Sequence, residues 1–136
     1  MTRASRYIYV VTAWAVVVGL TLQVLLIGMG LRELGNDAPS FDLHRGLGWL
    51  VHWLPVAVIP FAWLSKAGSR HWQWALASAV VIFMIPIFLV VRGSMPVIGA
   101  LHPVAAVIGF VLAAVVAVNS VRALNAPMPQ SDTAPG

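Results

Sequence analysis

Polar and apolar positions along this chain are sorted into blocks rather than mixed. Four stretches, residues 8–31, 46–64, 72–91 and 95–118, contain no Asp, Glu, Lys or Arg. Each is close to the ~20 residues that cross a hydrocarbon core at ~1.5 Å per residue. Short polar segments separate them: RELGNDAPSFD at 32–42, SKAGSRH at 65–71 and Arg92-Gly93-Ser94. The pattern predicts an all-α fold, an integral membrane four-helix bundle within residues 1–124, with spans at about 8–31, 43–64, 72–91 and 95–118. The Pro-rich polar tail, 125–136, is expected to be disordered.

Local signals refine the spans. Asp42 stands directly before the second span and is expected to cap it. Pro55 and Pro60 fall inside that span, where membrane neighbours can satisfy the freed carbonyls, and a kink is expected there. Tyr7, Tyr9, Trp14, Trp72 and Trp74 sit near span ends, as rings suited to the headgroup boundary. The three-residue turn at 92–94 makes the third and fourth spans antiparallel neighbours.

Composition agrees with a membrane protein: 60% of residues are hydrophobic and 9% charged, which leaves no room for a separate soluble module. The first span is preceded by Arg3 and Arg6, yet its 24 residues exceed the ~7–15 of a signal-peptide core, so it is read as retained. The net charge of +4 divides by side. Arg3, Arg6, Lys66, Arg70 and Arg122 fall on one face of a four-span topology; Arg32, Arg45 and Arg92 fall on the other, offset by Glu33, Asp37 and Asp42. The positive-inside rule then puts both termini in the cytoplasm of a bacterial inner membrane. No basic cluster alternates with stacking aromatics, so nucleic acid is not an expected partner. The absence of cysteine excludes disulfides, thiolate catalysis, iron–sulfur ligation and covalent c-type haem.

Candidate chemistry rests on histidine. His52 and His102 lie within apolar runs, and His44 lies two residues before the second. Ionisable groups at such depth are costly and usually face a bundle interior for a purpose. His44, Gly48 and His52 follow i, i+4, i+8 spacing, which puts a notch between two imidazoles on one face. On the fourth span Gly99, His102, Ala106, Gly109 and Ala113 form a second smooth stripe. Taken alone, such stripes are plain packing surfaces. Together with the histidines they can sandwich a planar macrocycle, with one axial imidazole from each side. The alternatives for the histidines are interhelical hydrogen bonds or a place at the membrane edge, and His71 is expected at the surface. Rise along the helices puts His44 about 3 Å, His102 about 9 Å and His52 about 12 Å from the outer boundary. Depth alone therefore favours a His52–His102 pair. Gln23, at a similar depth on the first span, is a candidate second partner for an imidazole, and Arg45 a candidate partner for propionates.

The segment Phe41-Asp42-Leu43-His44-Arg45-Gly46-Leu47-Gly48, with Leu101-His102-Pro103-Val104 and the Gln23 segment, resembles an uncharacterised family of small four-span bacterial membrane proteins. More distantly, the chain looks like one four-helix half of the haem A synthase family. That resemblance implies His44 and His102 as axial ligands, because the family pairs an outer-end His-Arg on the second helix of a half with a His on the fourth. Asp42 stands at a different spacing from the carboxylate that precedes the family's His-Arg. A single half also lacks the second of the family's paired sites.

The expected function is a b-type haem (heme b) membrane protein. It would carry electrons or act as an accessory haem subunit rather than a stand-alone enzyme, with ligands among His44, His52 and His102. Gln23, Arg45, Gly48 and Gly109 would line the site. Two alternatives stay open: a cofactor-free structural or assembly subunit, associating with other membrane subunits or with itself, and a copper-handling protein that adds Met29 and Met95 to the histidines.

Overall fold

The computed structural model describes residues 3–33, 39–91 and 93–127. Residues 34–38, Arg92 and most of the tail expected to be disordered, 128–136, lie outside the described residues. All regular structure among the described residues is helical: α1 (Arg3–Glu33), α2 (Pro39–Leu64), α3 (Ser69–Val91), a single turn α4 (Pro96–Gly99) and α5 (His102–Asn125). Four units are long and apolar enough to cross a membrane: α1, α2, Ser69–Phe88 of α3, and α4 with α5 over Pro96–Asn125.

The helices close into a ring in which α1 packs on α2 and α5, and α3 packs on α2 and α5. The two histidine-bearing helices, α2 and α5, therefore stand diagonally across the bundle. Buried positions recur every three or four residues on each rod. On α1 they are Tyr9, Ala13, Val16, Leu20 and Gln23, and on α2 Val51, Pro55, Val58 and Ala62. Ala75, Ala79, Ile82 and Ile85 supply α3, while Gly109, Ala113, Val116, Ser120 and Ala123 supply α5. Many of these are Ala, Gly or Ser, which lets backbones approach where no hydrophobic driving force separates helix from lipid. Large side chains such as Trp49, Trp53, Val90 and Val111 point outward instead.

Glycine permits contact at two further points. A Cβ on Gly19 would stand 2.8 Å from Val51 Cγ2, and one on Gly30 would stand 2.7 Å from the Phe41 ring. Both lock α1 against α2.

Two local features differ from the sequence expectations, the start of α2 and the continuity of the fourth span. Helix α2 begins at Pro39 rather than after Asp42, because Glu33 at the end of α1 accepts hydrogen bonds from Ser40 N–H (3.3 Å) and Ser40 Oγ–H (2.8 Å). Asp42 is thus inside the first turn and pairs with Arg45. Helix α2 runs on through Pro55 and Pro60. The fourth span is not one rod: its helix breaks at Ala100–Leu101, directly before His102. Pro103 has no N–H to return to the preceding turn, and Leu101 N–H instead bonds Ile98 O at 3.0 Å in a tighter turn.

At the opposite end, Lys66 (φ 51°) and Gly68 (φ 111°) turn the chain from α2 into α3 in left-handed conformations. Arg6 is buried there. Its guanidinium donates to Ser65 O (3.3 Å), Ala126 O and Pro127 O (3.3 Å), tying the start of α1 to the α2–α3 turn and the end of α5. Both termini therefore share one end of the bundle. Tyr9, expected at the interface, is wholly buried, and its ring meets His71 edge-on with centroids 6.0 Å apart. His71 is accordingly half-buried rather than a surface residue.

Candidate functional site

At the end away from the termini the four rods do not close. They surround a cavity of about 300 Å³ lined by residues of α1, α2, α3 and α5. The three histidines singled out in the sequence, His44, His52 and His102, all line it. So do Gln23, Arg45 and Gly48, together with apolar walls from Leu20, Val51, Ile82 and Ile85.

Helix geometry explains the convergence. His44 and His52 are eight residues apart on α2, with Gly48 between them, so both rings reach the same side of the rod. Break and proline at the head of α5 place His102 in its first turn, opposite α3 and diagonal to α2.

Each imidazole is held through Nδ1. Treated as an N–H donor, His44 Nδ1 lies 3.2 Å from Gln23 O on α1, and His102 Nδ1 lies 3.2 Å from Ile85 O on α3. His52 Nδ1 turns back onto Gly48 O of its own helix. A carbonyl can only accept, so in each ring the proton belongs on Nδ1 and Nε2 keeps a free lone pair. Two rings are thus oriented by a neighbouring rod and one by its own.

His44 stands near the start of α2 and His102 in the first turn of α5, while His52 is about two helical turns farther along α2.

Other sequence candidates are distributed as follows. Arg45 is at the mouth, largely exposed, and its guanidinium is paired with Asp42. Gln23 is buried; its main-chain carbonyl meets His44, and its side-chain Nε2 has no partner among the described residues. Gly48 borders the cavity, with Gln23 Oε1 3.6 Å from where its Cβ would stand. Gly109 is not at the cavity; it packs against α3, where a Cβ would meet Ile82 Cγ1 at 3.0 Å. Met29 and Met95 are exposed and do not line it. Among the described residues, no three of His, Cys, Asp and Glu form a metal-holding group.

Sequence reasoning overlooked the Ile85 carbonyl and the α3 wall. No residue type signals it: Pro86 lacks an N–H that would return to the Ile82 carbonyl, four residues back, and leaves the Ile85 carbonyl unmarked in the sequence.

No protein-family model matches the chain, and neither the curated proteins nor the solved structures contain a match to it.

Proposed function

We propose that this chain is a b-type haem-binding membrane protein that carries electrons or serves as an accessory haem subunit, with His44 and His102 as the axial pair. The observation that carries the reading is the common anchoring of these two rings. Each is aimed into one cavity by an Nδ1–carbonyl contact from a different rod, leaving Nε2 available. Such contacts fix the tautomer and orientation of metal-binding imidazoles. Their positions near the starts of diagonal helices suit two ligands on opposite faces of a planar group. The donor set fits haem in kind as well: two neutral imidazoles with apolar walls suffice, whereas a site built from three or more protein ligands finds no support here.

The side-chain walls suit the edge of a macrocycle. Leu20, Val51, Ile82 and Ala106 are apolar or small, and the exposed Trp49 and Val90 line an opening through which a ring edge can project. Arg45, at the mouth, can exchange Asp42 for a propionate. When bound, haem would supply one-electron redox chemistry, while the chain's own groups hold and orient it and exclude water. The excess of Lys and Arg at the termini end supports an inner-membrane orientation with that end in the cytoplasm and the cavity mouth on the opposite face. The distant likeness to a haem A synthase half supports the same axial pair.

The test is a reduced-minus-oxidised visible spectrum of the protein purified after expression with ample haem supply. The expected result is a sharp b-type α-band that is lost in His102→Ala and in His44→Ala, and retained in His52→Ala. A colourless wild-type preparation would overturn the reading in favour of a cofactor-free subunit, for which the small-residue packing faces would be the functional surface.

A further inference from the structure

Deeper than the axial pair, the cavity holds two polar atoms that the helices leave without partners. Gln23 is only 9% exposed, and its side-chain Nε2 is buried with no acceptor among the described residues. His52 Nε2 is likewise buried and unpartnered. Because His52 Nδ1 faces the Gly48 carbonyl, Nε2 is the acceptor of that ring. Gln23 thus carries an N–H donor and His52 a lone pair, and both residues line the cavity together with Gly48. Unmet polar atoms are expensive in a bilayer core, so an occupant that meets both is strongly favoured.

The chemistry of that occupant follows from the two atoms. A carbonyl or ether oxygen can accept from Gln23 but gives nothing to His52. A hydroxyl can do both at once. The surroundings say how it arrives. Leu20, Val51 and Ile82 make the walls apolar, and the lining includes Trp49 and Val90, which are 70% and 82% exposed on the lipid-facing surface of α2 and α3. The cavity therefore opens sideways to the bilayer.

We infer that the Gln23–His52 end of the cavity binds the hydroxyl head of a lipid-soluble molecule, the hydroxyl donating to His52 Nε2 and accepting from Gln23 Nε2. Two sources carry that chemistry, a hydroxylated ring of the quinol class and a long-chain aliphatic alcohol. The inference stands on these two side chains and is independent of haem occupancy.

The experiment uses the full chain in lipid nanodiscs, purified without added haem, with binding followed by quenching of tryptophan fluorescence. Probes are a decyl-tailed quinol, its quinone, its dimethyl ether, decanol and decyl methyl ether. A hydroxyl probe should bind about tenfold tighter than its quinone or methyl ether, the worth of one buried hydrogen bond. Preference within the quinol set identifies a ring, and preference only within the decanol set identifies an aliphatic alcohol. Gln23→Leu and His52→Phe should each reduce the preference to within about twofold; both replace unpartnered polar groups with apolar ones and are expected to fold. Gly48→Leu, which fills the notch, should weaken every probe. Equal binding of hydroxyl and methylated probes would overturn the inference and leave a bound water as the occupant. Loss of the haem spectrum in His52→Phe would overturn it too, by making His52 an axial ligand, whereas a colourless wild type overturns only the haem reading.

Discussion

The two ends of this bundle spend similar polar groups in opposite ways. At the termini end, Arg6 reaches three main-chain carbonyls from two other parts of the chain, Ser65 Oγ donates to Ala62 O at 2.7 Å, and Tyr9 and His71 pack ring against ring. Helices close around these contacts. At the other end, three histidines and a glutamine surround a cavity of about 300 Å³, with their Nδ1 or main-chain atoms engaged and their outer atoms free. Polarity at depth is costly at either end. One end recovers much of that cost through Arg6 and Ser65 and thereby holds the bundle together, with the Tyr9 hydroxyl and His71 Nδ1 packed but unpartnered among the described residues. The other leaves donors and acceptors pointing at a space, which is what a ligand site requires and a structural clasp does not.

The largest effect should come from breaking the clasp. Arg6→Met keeps much of the stem but abandons three carbonyls that receive hydrogen bonds from a charged group. A loss of about 3 kcal/mol is expected, read as a lower thermal unfolding midpoint in detergent micelles. On the proposed haem reading, the spectrum of the remaining folded protein should be unchanged, since the cavity is at the far end. A variant that lost the spectrum while remaining folded would show that the ends are not separable.

Next in size is a pair of glycine substitutions that contrasts tight packing with open space. Gly30→Ala pushes a methyl to within 2.7–2.9 Å of the Phe41 ring. Overpacking of this kind costs about 1–3 kcal/mol. Gly48→Ala meets nothing nearer than Gln23 Oε1 at 3.6 Å, and loses a helix-interior glycine, so its stability should stay level or rise by up to about 1 kcal/mol. The unfolding midpoints of the two variants should therefore move apart. Similar losses in both would mean that the cavity is closed in the folded protein.

The number of spans, their order and the sharing of one face of α2 by His44 and His52 were legible in the sequence, because block hydropathy and i+4 spacing are local properties. What was not legible depended on contacts between segments. The capture of Ser40 by Glu33 started α2 ahead of Asp42. Nothing local to Arg6 reveals that the α2–α3 turn and the end of α5 supply its acceptors. Tyr9 read as an interfacial ring for the same reason. Gly109 and Ala106 belong to one small-residue stripe, yet Gly109 packs on Ile82 while Ala106 lines the cavity. Their separation follows from the course of α3, which carries no periodic mark of it. Pro103 was visible, but the break it causes ahead of His102 needs the turn geometry at Leu101 to be seen.

The smallest effect expected is also the sharpest test of how complete the clasp is. Tyr9 is 0% exposed, and its hydroxyl has no hydrogen-bond partner among the described residues, nor has the neighbouring His71 Nδ1. The phenol ring supplies packing, and the edge-on contact at 6.0 Å needs only the aromatic face. Removing a buried hydroxyl that makes no bond relieves its desolvation cost, so Tyr9→Phe should be neutral or stabilising by up to about 1 kcal/mol. The measurement is the unfolding midpoint of Tyr9→Phe beside Tyr9→Leu, which loses the ring and should be destabilised. If Tyr9→Phe instead falls by as much as Tyr9→Leu, the hydroxyl is bonded in the membrane-embedded protein, and the clasp is more complete than the contacts of Arg6 and Ser65 alone make it.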